Sequence, residues 1–179
     1  MARLDYAASD LTGPDGDIAE RIRARRGGGL TPLDRMLLHS PPLAEGWNGL
    51  LGAVRTASTL AADVRELAIL RIAALNGADY EWRAHEPIGR DGGLTDDDLA
   101  VLRGEREPDA LAPRLAAVLA YTDAMTTRVT VPDDVFAELR DHFSDREVVE
   151  LTVTVGTYNL VSRFLVALEV GSERDREAA

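Results

Sequence analysis

Apolar residues recur every three or four positions along most of the chain, and this spacing predicts helices. Prolines and glycines separate the apolar segments, and several segments begin with a Ser or Thr cap or with acidic residues. The pattern therefore predicts a series of helices joined by short turns. They cover residues 15–26, 33–39, 41–55, 63–75, 78–86 with a bend at Pro87 and an end at Gly92-Gly93, 95–104, 114–127, 133–142 and 144–170.

Residues 144–170 carry two competing patterns. Leu151 to Val155 alternate as in a strand, whereas apolar residues over the whole segment recur near helical spacing. Helix is favoured because Ser144 and Glu147 form a capping box and no proline follows. The expected fold is all-α. It comprises one helical domain over 14–171, a loose arm over 1–13 and a charged tail over 172–179.

Composition excludes several classes of chemistry. The 179 residues contain no cysteine, which rules out a thiolate nucleophile, a disulfide and a cysteine-ligated metal. All 20 residues counted as Lys or Arg are arginines, so a lysine Schiff base and a lysine general base are excluded as well. Chemistry is left to carboxylates, hydroxyls, arginines and three histidines.

The charge balance bears on partners and location. Against those 20 arginines stand 31 acidic residues, and the formal charge is −11. Such a surface repels phosphate backbones and anionic lipids, so neither nucleic acid nor a membrane is expected as a partner. No apolar run reaches the roughly 18 residues of a bilayer span, and the first thirty residues lack a signal-peptide pattern. We expect a cytoplasmic protein.

Two charged residues interrupt the most apolar segment, residues 63–75. On a helical wheel Glu66 and Arg71 both fall within apolar surface. Dehydrating an unpaired carboxylate costs on the order of several kcal/mol, so Glu66 is expected to be paired, hydrogen-bonded or protonated. Two interpretations remain open. One is a functional carboxylate; the other is a structural ion pair that joins helices, with Arg55 or Arg163 as the partner.

Glu81 and His85 lie four residues apart and so share one helical face. A carboxylate at that spacing can hold the imidazole in one tautomer and support its cationic form, which suits proton transfer. Pro87 adds a possible ligand or water site, because it leaves the Arg83 carbonyl without its helical donor. The alternative is a solvent-facing helical pair with no chemical role.

Metal and cofactor sites have weaker support in the sequence. His39, His85 and His142 lie in separate segments without a metal-ligand spacing. Trp47 and Tyr158 are interpreted as core residues. No cofactor is expected.

The segments RELAILR, from Arg65 to Arg71, and ALNGADYEWRAH, from Ala74 to His85, resemble the carboxymuconolactone decarboxylase and alkylhydroperoxidase D-like superfamily. The resemblance extends over roughly residues 30–170 and includes GTYNLVSRF, from Gly156 to Phe164. It implies an all-helical bundle of the alkylhydroperoxidase D-like type. It also implies a homo-oligomer, a dimer, trimer or hexamer, with a site near a subunit interface.

Within that superfamily, the peroxidase branch has a glutamate, a Cys-x-x-Cys and a histidine. Glu66 and His85 match the outer positions, but Ala78 and Glu81 stand where the cysteines would be, so peroxidase activity is excluded. The decarboxylase branch reads Glu-x-Arg-x-His, which Glu81, Arg83 and His85 match.

The resemblance thus implies a cofactorless acid/base enzyme that decarboxylates or isomerises a small lactone or conjugated keto or carboxylic acid. Its partner would be a small anionic substrate. We assign His85 as proton donor and acceptor, Glu81 as its orienting residue and Glu66 as a second relay carboxylate. Arg83 or Arg71 would hold the substrate anion, with Tyr80 and Asn159 as hydrogen-bond donors and Trp82 at the pocket edge.

Two alternatives remain. One is a non-catalytic oligomeric helical protein on the same scaffold, for which Glu81 and His85 would be open to solvent or sealed by packing. The other is a metal-dependent lactone hydrolase, which would require His39 or His142 near His85. An enzyme should have a pocket of roughly 300 Å3 or more that opens onto Glu81 and His85.

Overall fold

The computed structural model describes residues 2–172, and the regular secondary structure within that range is entirely helical. The all-α prediction is therefore confirmed. Contacts group the described residues into two compact units, one of residues 2–58 with 167–172 and the other of residues 59–166. Each unit is described by itself below. The single domain over 14–171 stays a prediction, and residues 173–179 of the predicted tail lie outside the described residues.

The first unit contains three α-helices and a short π-helix. These are α1 (Gly13–Arg26), α2 (Pro32–Leu37), α3 (Pro41–Gly52) and the π-helix Ala53–Ala57. Residues 2–12 form no helix, as predicted, but they are not loose. The Ala7 amide donates to the Arg35 carbonyl at 3.3 Å, and His39 Nε2 lies 2.7 Å from the Asp5 carbonyl oxygen.

The second unit contains most of the core. Its helices are α4 (Ala62–Asn76), α5 (Asp79–Asp91), α6 (Asp96–Arg103), the 3₁₀ turn Pro108–Ala110, α7 (Pro113–Arg128), α8 (Asp133–His142) and most of α9 (Asp145–Leu168). Helix α4 contacts α5, α6 and α7 and is apolar nearly all round, so it is the buried central helix of this unit.

The turn between α4 and α5 sets the geometry of the site. Gly77 ends α4 in the left-handed region with a φ of 64°, a conformation that favours glycine. Helix α5 then runs back along α4 and continues through Pro87 to Asp91. At Gly89 a Cβ would meet a Leu70 methyl carbon at 3.0 Å, so the absent side chain lets α5 lie close to α4.

Helix α9 resolves the ambiguous segment in favour of helix. The Ser144–Glu147 capping box is present, and the Thr152 and Thr154 hydroxyls donate to carbonyls four residues earlier. By length and composition α9 could also cross a membrane, but half of its most apolar stretch is buried inside the structure. A core helix of a folded protein has the same properties.

Candidate active site

Glu66 on α4 and His85 on α5 form a buried pair. His85 Nδ1 lies 2.7 Å from Glu66 Oε2, and the two residues are 6% and 2% exposed. An ionised carboxylate can only accept hydrogen bonds, so Nδ1 is the donor. This bond fixes the ring orientation and leaves Nε2 as the atom that can take up or release a proton. Glu66 is therefore paired, as the sequence predicted.

Two further side chains complete the surroundings of this pair. Arg65 Nε donates to Glu66 Oε1 at 3.2 Å, which stabilises the negative charge on the carboxylate. On the other side of the imidazole, Tyr158 Oη lies 3.4 Å from Nε2, and the two rings meet edge to face. Tyr158 is fully buried on α9. Glu66, His85 and Tyr158 thus form a continuous row, which we call the relay.

Glu81 has a different position from the one expected for the orienting residue. It is buried, at 2% exposure, one turn before His85 on α5. The carboxylate that the structure places on His85 Nδ1 nevertheless belongs to Glu66, which comes from a different helix. Glu81 and His85 are both buried, so they are not the solvent-facing helical pair of the alternative interpretation.

Arg71 and Asn159 are occupied by contacts within the protein. The Arg71 guanidinium binds both carboxylate oxygens of Asp123 at 2.6 and 2.8 Å and the Leu102 carbonyl at 2.9 Å, so it links α4 to α6 and α7. The Asn159 amide donates to the Thr126 hydroxyl at 3.0 Å, and its oxygen accepts from Asn76 at 3.2 Å. These bonds give both residues a structural role, so we leave them out of the proposed substrate site.

Trp82 and Arg83 on α5 border a cavity that the relay does not line. The cavity has a volume of about 410 Å3, and its other lining residues are Ala73, Ala74 and Gly77, Arg103 from α6 and two acidic residues. Neither Glu66 nor His85 belongs to the lining. This cavity borders Trp82 and Arg83, so it is not the predicted pocket, and a pocket that opens onto Glu81 and His85 stays a prediction. Tyr80 is half-buried near the start of α5.

Glu86 organises the polar contacts beside this cavity. It accepts from Trp82 Nε1 at 2.7 Å and from Arg90 at 3.0 Å, and Arg103 approaches it at 3.4 Å. The Trp82 hydrogen bond, followed by that of Arg90, lowers the pKa of the Glu86 carboxyl below its ordinary value. Glu86 is therefore a stable anion at neutral pH.

The other two histidines lie in separate surroundings. His39 belongs to the first unit, and His142 Nε2 lies 3.5 Å from Glu138 on α8. Within residues 2–172, no group of three His, Asp or Glu side chains could hold a metal ion.

Sequence reasoning missed Arg65 and Tyr158 as site residues. Tyr158 was assigned to the core, and its burial agrees with that, but its hydroxyl also faces the imidazole. Two signals were present. Arg65 directly precedes Glu66, and Tyr158 lies within the GTYNLVSRF segment that carried part of the resemblance.

One known protein family matches the part of the chain that contains the Glu66–His85 pair. The model of the carboxymuconolactone decarboxylase family matches residues 41–124, a range that contains both Glu66 and His85. The chain is therefore similar to carboxymuconolactone decarboxylase family proteins over this range. The match ends before Tyr158, so the third residue of the relay lies outside it. The family includes enzymes, but similarity to it does not by itself specify a reaction.

Three proteins are similar to this chain over most of their own length. It is 25% identical over 113 residues to the uncharacterized protein YdfG of Bacillus subtilis (strain 168), over 62% of this chain and 77% of that protein. A protein of unknown function from Agrobacterium tumefaciens, suggested to be the antioxidant defence protein AhpD, is 28% identical. That likeness covers 75% of this chain and 92% of the other, with a TM-score of 0.68.

An uncharacterized peroxidase-related protein from Ralstonia eutropha JMP134, described as an alkylhydroperoxidase AhpD core, shares the fold. It has a TM-score of 0.76 and 21% identity over 94% of this chain and 90% of the other. The alkylhydroperoxidase D-like fold is therefore confirmed. Unlike a thiol peroxidase, this chain has no cysteine at all.

Proposed function

We propose that this chain is a cofactorless acid/base enzyme of the carboxymuconolactone decarboxylase type. Its substrate would be a small lactone or a conjugated keto or carboxylic acid, which it decarboxylates or isomerises. The observation that carries the proposal is the 2.7 Å contact between His85 Nδ1 and Glu66 inside the core. A buried carboxylate–imidazole pair is costly to maintain and is well suited to proton transfer.

In this proposal each relay residue has one role. Glu66 holds the Nδ1 proton and stabilises the imidazolium that forms when Nε2 takes up a proton. In a decarboxylation, the bond to the carboxyl carbon breaks, its electron pair passes into the conjugated system, carbon dioxide leaves, and Nε2 returns a proton to carbon. In an isomerisation, Nε2 removes a proton at one carbon and delivers it to another.

The remaining residues would position the substrate. Tyr80 is proposed to contact its anionic group, and Glu81 adds a second acidic group on the buried face of α5. Arg83 lines the separate cavity described above, so we leave it out of this site. The Tyr158 hydroxyl, which lies beside Nε2, would donate to the developing enolate oxygen. We also propose that the protein is cytoplasmic.

Homo-oligomeric assembly is also part of the proposal. Val149, Val153 and Leu160 on α9 are 61%, 43% and 50% exposed, and their spacing places them along one side of the helix. A second copy of the chain could cover this side. Light scattering on wild type and on Leu160→Glu tests it: an oligomer that dissociates in the variant supports assembly through α9, and a monomeric wild type refutes it.

The test of function compares variants in a decarboxylation and isomerisation assay on conjugated lactones and keto acids. We expect His85→Ala to lose about 100-fold or more of the activity, since general acid/base groups contribute about that much. Glu66→Gln should lose less, because an amide can still accept from Nδ1. His142→Ala is the matched control and should remain within about twofold of wild type.

Two results would refute this function. One is His85→Ala activity within about threefold of wild type, under ~0.7 kcal/mol in the barrier. The other is the absence of turnover with every substrate of this class. One observation favours the non-catalytic alternative, namely that His85 is buried beneath Tyr158 and lies outside the lining of the cavity described above.

A further inference from the structure

The cavity beside Trp82 and Arg83 has the properties of a binding site separate from the relay. Its volume of about 410 Å3 lies within the usual range for small-molecule sites, about 300–1,000 Å3. Its walls come from the end of α4, the start of α5 and the end of α6. All of these residues belong to the unit of residues 59–166.

Arg103 has most of its hydrogen-bonding capacity available. A guanidinium has five N–H donors. In the described part of the chain, the Arg103 side chain makes one hydrogen bond, the long 3.4 Å contact to Glu86. Arg90 already forms an ion pair with Glu86 at 3.0 Å. Arg103 can therefore bind an incoming anion without leaving Glu86 uncompensated.

Trp82 holds this guanidinium in place. The Arg103 Cζ atom lies 4.3 Å from the centre of the Trp82 ring, a cation–π distance. The indole is in turn fixed by the 2.7 Å hydrogen bond from its Nε1 to Glu86. The cavity thus combines a rigid aromatic wall with a prepositioned guanidinium, whose planar shape matches a carboxylate in two parallel hydrogen bonds.

The other lining residues narrow the class of ligand. Ala73, Ala74 and Gly77 provide small side chains that suit a flat, apolar body. Two arginines, Arg83 and Arg103, are balanced by Asp79 and Glu105. The two carboxylates offset the two arginines, so the cavity gives no excess positive charge that would favour a compact inorganic anion over an organic carboxylate.

We propose that this cavity binds a small planar monocarboxylate, with its carboxylate on Arg103, beside Trp82, and its ring against Ala73, Ala74 and Gly77. The site does not depend on the proposed catalytic function, because none of the relay residues lines the cavity.

The experiment is a titration of the full chain with benzoate, followed by tryptophan fluorescence in a Trp47→Phe background. Trp47 and Trp82 are the only two tryptophans, so the remaining signal reports on the cavity. We expect a saturable change with benzoate and binding about tenfold or more weaker with benzamide, which lacks the charge. Inorganic phosphate should not displace benzoate at equal concentration.

Benzoate binding to arginine variants tests whether Arg103, rather than a nearby surface arginine, holds the carboxylate. Arg103→Gln should weaken benzoate binding about tenfold or more, and Arg103→Lys, which keeps the charge but loses the planar fork, should be intermediate. Arg106→Gln is the matched control, because Arg106 is an exposed arginine paired with Asp97 outside the cavity, and it should bind within about twofold of wild type. Circular dichroism checks that each variant folds.

Several results would overturn the proposal. They are no saturable signal with benzoate, equal binding of benzamide, displacement by phosphate, or unchanged binding in both Arg103 variants. His85→Ala distinguishes the two proposals, since it should bind benzoate as wild type does. If His85→Ala keeps both binding and activity, the proposed function fails and this site stands. If benzoate does not bind and His85→Ala is inactive, the proposed binding site fails and the proposed function stands.

Discussion

Two glutamates make hydrogen bonds to α5 residues in different surroundings, Glu66 of α4 in the core and Glu86 of α5 near the surface. The Glu66–His85 pair, which we call the inner pair, is 2% and 6% exposed. Glu86 with Trp82, Arg90 and Arg103 forms the outer group, where the Glu86 and Arg90 side chains are 28% and 45% exposed. Burial, rather than the number of partners, should therefore decide how much each carboxylate contributes to stability.

The largest expected effect comes from breaking the inner pair. Glu66→Ala leaves the His85 ring and the Arg65 guanidinium without their shared acceptor, and removing one partner of a buried pair costs about 3–5 kcal/mol. Urea unfolding measures this loss. Glu45→Ala, which removes an exposed pair with Arg21, is the control and should cost less than about 1 kcal/mol. A Glu66→Ala cost as small as the control's would mean that burial does not distinguish the two surroundings.

A smaller effect is expected where the inner pair meets α9. Tyr158→Phe keeps the ring that packs edge to face on His85 and removes only the hydroxyl at 3.4 Å. The loss should be about 1 kcal/mol or less in the free energy of unfolding. In the enzyme assay, however, the fall in turnover should exceed what this loss explains. Equal, small changes in both measurements would reduce Tyr158 to a packing role.

Removing the Glu86 charge from the outer group should lower the free energy of unfolding only slightly, and the loss should depend on pH. Glu86→Gln should cost less than about 1 kcal/mol at neutral pH, because its two arginine partners are exposed and the amide oxygen can still accept from Trp82. The hydrogen bonds from Trp82 and Arg90 lower the folded-state pKa of Glu86 below its ordinary value near 4.5. The wild type's advantage should thus be complete above that value and disappear as the pH falls through the lower folded-state pKa. An advantage that grows in acid would contradict this sign.

The smallest effect is that of salt. Raising the ionic strength from about 0.1 to 1 M shortens the Debye length from about 10 to 3 Å, which screens exposed charges much more than buried ones. The cost of Glu86→Gln should shrink by a few tenths of a kcal/mol, whereas the cost of Glu66→Ala should remain the same within error. Parallel urea titrations at both salt concentrations measure the difference.

Local signals predicted the helices well because caps and turns act over a few residues. Thr31 and Thr95 are two of the threonine caps in the sequence, and both begin helices in the structure, while the glycine after Asn76 ends one. Even the alternating residues 151–155 were correctly interpreted as helix, since the cap and the wider spacing outweighed the local pattern.

The candidate site was only partly predictable, because its contacts join separate helices. The sequence indicated that Glu66 is paired, hydrogen-bonded or protonated, and the structure shows it hydrogen-bonded to His85, whose catalytic role stays a prediction. By spacing along one helix, the sequence assigned Glu81 as the residue that orients His85. The observed partner is 19 residues away, and its position depends on the turn at Gly77 and the close packing at Gly89. Likewise, nothing local connects Arg71 with Asp123, which is 52 residues distant.

The central claim is that Glu66 holds the proton on His85 Nδ1. The most direct measurement is an NMR spectrum that correlates the imidazole protons with the ring nitrogens, recorded at neutral pH for wild type and for Glu66→Ala. The account predicts a protonated Nδ1 with a downfield, slowly exchanging proton in the wild type, and the loss of that signal in the variant. A His85 ring signal that is the same in both proteins would contradict it.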